Sequence, residues 1–113
     1  MITTNESILY RTLPLTISKA NTFGKRLKGL MFRTRPLHEE ALLITPCNAI
    51  HMCFMFFSID VVFLSEQNEV VKVVPNLKPW RIVLPVKGAD ATLELPAGAI
   101  ERYEIREGDY LNL

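Results

Sequence analysis

Cys47, His51 and Cys53 stand in the pattern Cys-x3-His-x-Cys, and two thiolates with one imidazole are donor types that bind zinc or copper. On an extended strand His51 and Cys53 would share a face about 7 Å apart, at ~3.4 Å of rise per residue. Cys47 would have to fold back from a turn to complete the set. No second Cys-x2-Cys pair accompanies them, and the next carboxylate is Asp60. Structural zinc sites use four ligands at recognisable spacing, so the expectation is no metal, with Cys47, His51 and Cys53 as the alternative ligand set. A second chemistry uses Cys53 as a nucleophile activated by His51, with Asp60 orienting the ring. Apolar neighbours work against it, because they disfavour the thiolate. The plainer reading of His51 is a buried residue on an apolar strand, its ring bonded to backbone or to Asp60.

These residues fall in an uncharged run from Ala41 to Ile59, bounded by Glu40 and Asp60. Its length permits a membrane span of about 20 residues. Thr45, Pro46, Asn48, His51 and Ser58 interrupt it and would leave polar groups unsatisfied in lipid, so no membrane span is expected. Two strands fit better, Ala41 to Ile44 and Ile50 to Phe57, joined by a Thr-Pro-Cys-Asn turn. Strands apolar on both faces are central strands.

Upstream, Ile8 to Arg11 and Leu13 to Lys19 alternate as half-buried strands do. Asn21 or Thr22 can cap a helix running to Met31, with Phe23, Leu27, Leu30 and Met31 as its apolar stripe and Gly29 as a possible end. Downstream, Val61 to Leu64 and Val70 to Val74 read as a hairpin turning near Asn68. Pro75, Pro79 and Pro85 then break the chain into an extended loop around Trp80. Thr92 to Leu95 is a further strand, Pro96 to Glu104 a turn or short helix, and Tyr110 to Leu113 a last strand after Gly108-Asp109. The expected fold is mainly β, a compact β-sandwich or barrel-like domain of six to eight short strands with one short helix in its first half.

At 113 residues the chain fits one domain spanning 1–113, with residues 1–7 expected to be poorly ordered, and it is long enough to bury a core without staples. Its N-terminus shows neither a basic leader nor a long apolar segment, and its two cysteines do not form a disulfide framework; both point to the cytoplasm. The net charge of +1 hides a division. Residues 1–38 carry seven Lys/Arg and one acid, against six and eleven in residues 39–113. Lys25, Arg26, Lys28 and Arg33 are the candidate anion-binding surface within that basic part. No specific nucleic acid is expected, since aromatic and basic residues do not interleave and no Gly-rich phosphate loop is present.

In combination, Gly29-Leu30-Met31-Phe32-Arg33, Ile50-His51-Met52-Cys53-Phe54-Met55, Ile59-Asp60-Val61-Val62-Phe63-Leu64 and Leu93-Glu94-Leu95-Pro96-Ala97-Gly98, followed by Gly108-Asp109, resemble a family. It is the family known as domain of unknown function 192, and the resemblance runs from about residue 13 to the C-terminus. It implies a compact β-sandwich or barrel with a short helix carrying the Gly-Leu-Met-Phe segment, and it implies no reaction. Met52 stands where relatives commonly have Thr, and many relatives carry an export segment. The expectation is a non-catalytic binding or assembly module without a cofactor, for an anionic ligand or a protein partner. Its pocket would be formed by His51, Met55 and Asp60. The alternative is a thiol- or metal-dependent enzyme using Cys47, His51, Cys53 and Asp60.

Overall fold

A computed structural model describes residues 9–113 apart from the side chains of Phe23 and Leu27, so the expectations for Ile8 and for residues 1–7 fall outside it. The elements are β1 Tyr10–Arg11, β2 Thr16–Ala20, α1 Phe23–Lys28, β3 Glu40–Ile44, β4 Ile50–His51, β5 Ile59–Leu64, β6 Val70–Leu77, β7 Ile82–Val83, β8 Ala91–Pro96, α2 Ala99–Arg102 and β9 Tyr110–Leu111. Five strands form one sheet in the order β2-β3-β8-β5-β6, open at β2 and β6. The fold is mainly β, as expected, and the sheet does not close into a barrel. β2 and β3 run parallel because the chain crosses over through α1; the other neighbours in this sheet are antiparallel. Two small pairs complete the fold, β1 with β9 and β4 with β7.

β5 is the spine. All six of its residues are buried, because helices and loops cover both faces of the sheet. Val62 and Leu64 face one core with Leu93, Leu95, Ala99, Ile100, Ile105 and Leu111. Ile59, Val61 and Phe63 face the other, with Leu30, Leu37, Ile50, Met52, Met55 and Leu77. The strand-like run after Ile50 ends at His51, and residues 52–58 continue as turns that fold Met52 and Met55 inward as part of the second cover. Among the described residues no helix is long and apolar enough to cross a membrane.

Pro75 does not end β6, contrary to the expectation of a break there. β6 is an edge strand and carries an irregularity between the pairs Ile59↔Leu77 and Val61↔Val74. One residue of β5 there faces two of β6, Pro75 and Asn76, and a bulge on an edge tolerates a residue without an N–H. Asn76 takes the left-handed φ of 52° at this point. Its N–H donates to Asp60 Oδ1 at 2.8 Å. The other oxygen, Oδ2, accepts from Ile100 N at 2.8 Å. Ile100 lies in the first turn of α2, whose Gly98 N-cap has no side chain to accept the free N–H groups there. One buried carboxylate thus joins β5 to the bulge of β6 and to the start of α2.

Asp60→Asn should therefore destabilise the fold by about 2–4 kcal/mol, since an amide presents only one acceptor oxygen to two buried donors. Urea unfolding would show this as a lower midpoint at unchanged slope.

Candidate functional site

Glu94 is the one acid of β8, and alternation on that strand directs Ala91, Leu93 and Leu95 to the first core and Glu94 to the opposite face. A Thr-Leu-Glu-Leu pattern ordinarily puts its acid in water. Here the chain from α1 through Met31 and the residues around β4 cover that face. Glu94 is 4% exposed as a result. Its Oε1 has no hydrogen-bond partner among the described residues. Burial pushes its pKa from 4.5 up to about 8, so the carboxyl is largely neutral near pH 7.

Glu94 lines a cleft of about 60 Å³ together with Arg26, Lys28, Gly29, Leu30, Met31, Ile44, Cys47, Ala49, Ile50, His51 and Met55. The space admits the head of a ligand rather than a whole metabolite. The segment Lys28–Met31 is also a wall of a shallow groove of about 630 Å³ that continues along Phe32, Arg33, Thr34 and Arg35 to Leu42.

Gly29 lies in the wall of this cleft. Thr22 caps α1, its Oγ1 accepting from Lys25 N at 3.3 Å, and Gly29 ends the helix. With φ 50° and ψ −124°, Gly29 occupies a backbone region that a Cβ disfavours. A Cβ there would lie at ordinary contact distance, 3.8 Å from Ile44 Cδ1 and 4.0 Å from Glu94 Oε1, so the backbone conformation rather than lack of space favours glycine.

The residues anticipated for chemistry are only partly brought together. His51 and Met55 both line the cleft, whereas Asp60 does not. His51 is exposed rather than buried in a core, and its Nδ1 accepts from Cys53 N at 3.2 Å. That leaves Nε2 as the N–H side of a neutral ring. Cys47 lines the cleft and donates from Sγ to Ala49 O at 2.9 Å; Cys53 is not part of the lining. Both thiols are free. No three His, Cys, Asp or Glu side chains among the described residues are grouped to hold a metal ion.

Of the four basic residues, Arg26 and Lys28 stand at the cleft. Lys25 lines a separate depression with Lys19, Ala20, Lys28, Gly29 and Leu42. Arg33 pairs with Glu40 and donates from Nε to Arg35 O at 2.8 Å, so its charge is already engaged.

Three of the segments that carry the family resemblance meet in this cleft, supplying Gly29, Leu30 and Met31, then Ile50, His51 and Met55, then Glu94. The DUF192 family model, described as an uncharacterized ACR, matches residues 4–113. The chain belongs to the DUF192 family. A UPF0127 protein of Thermococcus sibiricus is 38% identical over 98 residues, covering 82% of this chain and 62% of that relative. The chain therefore spans less than two thirds of that relative's length. A UPF0127 protein of Pyrococcus furiosus is 37% identical over 105 residues, covering 89% of each chain. The fold recurs in a crystal structure of a protein of unknown function from Novosphingobium aromaticivorans, with a TM-score of 0.78 and 27% identity over 88% of this chain and 75% of that one. The family has no assigned activity. Met52 is fully buried in the second core.

The raised pKa of Glu94 sets a pH dependence. Between pH 4.5 and about 8 the folded protein keeps a proton that the unfolded chain releases, so stability should fall as pH rises through that window. The loss is on the order of 5 kcal/mol at ~1.4 kcal/mol per pKa unit. Thermal melts of the wild type from pH 5 to 9, against Glu94→Gln, should show this decline only in the wild type.

Proposed function

We propose that the domain binds a small ligand bearing a carboxylate or phosphate group, without reacting with it, in the cleft beneath Gly29. The observation that carries this reading is Glu94, a buried carboxyl with an unpartnered oxygen that faces the cleft. An unpaired polar group in a core costs about 1–3 kcal/mol, a cost that a bound partner would offset. When protonated, Glu94 donates to an oxygen of the ligand. Arg26 and Lys28 supply charge at the same cleft, and neither is ion-paired among the described residues. His51 Nε2–H adds a neutral donor.

Glu94 also sets the sign of the proton linkage. Once ionised it repels an anion, so affinity falls as pH rises through about 8. Neither thiol belongs to a metal set or a disulfide, and Asp60 is occupied by two backbone N–H groups, which favours binding over thiol catalysis. The free cysteines fit a reducing compartment, so we place this single-domain module in the cytoplasm.

The test is calorimetric titration and thermal shift with inorganic phosphate, acetate and lactate at pH 6 and pH 9. Stabilisation at the lower pH, weakened at the higher, is expected. Glu94→Gln should keep binding but lose the pH dependence, because its amide still donates; Glu94→Leu and the Arg26→Ala/Lys28→Ala double variant should each weaken it about tenfold, or ~1.4 kcal/mol. Equal affinity in all these variants, or no response of the wild type to any oxyanion, would refute the reading.

A further inference from the structure

Outside the cleft, Phe32, Phe54 and Trp80 form a continuous aromatic surface. Phe32 and Phe54 are stacked with centroids 5.0 Å apart, and Trp80 meets Phe54 edge-on at 5.1 Å. All three are exposed, at 57%, 46% and 60%, where aromatic rings more often close a core. Each stands on left-handed backbone, with φ of 65°, 59° and 68°, a conformation that bulky residues rarely adopt. Main-chain hydrogen bonds hold the three loops there: Phe32 N to Phe54 O at 3.0 Å, Trp80 N to Met52 O at 2.7 Å, and Met52 N to Arg81 O at 2.8 Å. The rings are therefore set in place before anything binds.

The charge on these loops has one sign. The segments that carry the rings, residues 28–35, 51–57 and 78–82, contain five Lys/Arg and no Asp or Glu. Arg33 is paired with Glu40, which leaves Lys28, Arg35, Lys78 and Arg81, all exposed and without an ion-pair partner among the described residues. Glu66 and Glu69 lie beyond Leu64, at the opposite end of β5 from Phe57. Basic residues thus stand within three positions of Phe32 and of Trp80 in the chain.

We propose that this surface binds single-stranded nucleic acid without sequence preference. Bases stack on the outer faces of Phe32 and Trp80, and Arg35, Lys78 and Arg81 neutralise the phosphates. Exposed rings on loops that carry unpaired cations and no acid of their own suit a partner that offers planar faces and regularly spaced anions. An anionic membrane meets the charge but makes no use of ring orientation.

Trp80 is the sole tryptophan, so its fluorescence reports on the surface directly. Oligothymidylate and oligouridylate of about a dozen nucleotides should quench it, with an affinity that falls steeply as salt is raised. Phe32→Ala should weaken binding about tenfold or more, by quenching and by anisotropy of a fluorescein-labelled strand, and Trp80→Ala should do the same by anisotropy. Arg35→Ala/Lys78→Ala/Arg81→Ala should flatten the salt dependence. These side chains are exposed, so unchanged melting would show that the variants fold. No quenching by either oligonucleotide would overturn the proposal. So would a blue shift of Trp80 on phosphatidylglycerol vesicles without any response to oligonucleotide.

Discussion

A strand buried on both faces cannot stand in a two-layer protein, and β5 imposes that condition on this chain. Ile59, Val61 and Phe63 need one cover while Val62 and Leu64 need another. Among the described residues only two short helices, α1 and α2, are available to supply that cover. One cover is α2 with the C-terminal segment. The other is irregular chain, built from α1 and its following loop, the turns after β4 and the proline-rich connection around β7. Irregular cover leaves main-chain polar groups to be satisfied one at a time. Asp60 accepts two such N–H groups at the bulge of β6 and the start of α2. It is the first charged residue after the uncharged run because it marks the point where apolar burial alone can no longer close the structure.

The same constraint produces the cleft. Thr92 and Glu94 point from β8 to the irregularly covered face, where Thr92 Oγ1 finds Cys47 O at 3.1 Å and Glu94 Oε1 finds no partner among the described residues. A leucine at position 94 would avoid the cost of desolvating a carboxyl, and packing would favour it. A charged residue type held at such a place works against stability, which is the ordinary signature of a group used for something else. The raised pKa follows from burial alone and needs no like charge nearby.

Much of the sheet was legible in the residues. The edges of β3 and β8 follow from aliphatic runs bounded by turn residues, whereas β5 begins at Ile59, two residues before the expected Val61; Thr22 and Gly29 end α1 as cap chemistry predicts. Two things were hidden for the same reason. The run after Ile50 has the composition of a strand, but residues 52–58 serve as cover, a role with no sequence period. Glu94 was passed over because alternation on β8 assigns it to solvent, and only the tertiary arrangement shows that a second layer lies over it. His51 was found for its chemistry and placed wrongly, exposed at the cleft instead of buried in a core. Asp60 was grouped with it by closeness in the chain, although the two end up serving different parts of the molecule. The aromatic surface as a whole could not be read, since Phe32, Phe54 and Trp80 come from three separate loops.

One short segment connects these features. Residues 28–33 turn from the last turn of α1, pass Glu94 at Gly29, bury Leu30 in the second core and present Phe32 to the outside. Within four residues the chain closes a cleft, anchors a cover and exposes a ring, and it needs two positive-φ residues to do so, Gly29 and Phe32. Glycine bears this at little cost; phenylalanine does not, and it is held there by its N–H to Phe54 O and by the stacked ring. If burial of Phe32 were the purpose, the ordinary right-handed or extended backbone would have been the less strained way to bring a ring inward. The strain is spent on keeping the ring out. The Gly-Leu-Met-Phe-Arg segment therefore joins the two proposed binding features: its glycine turns the chain beside a buried acid, its leucine fixes the loop, and its phenylalanine is left exposed.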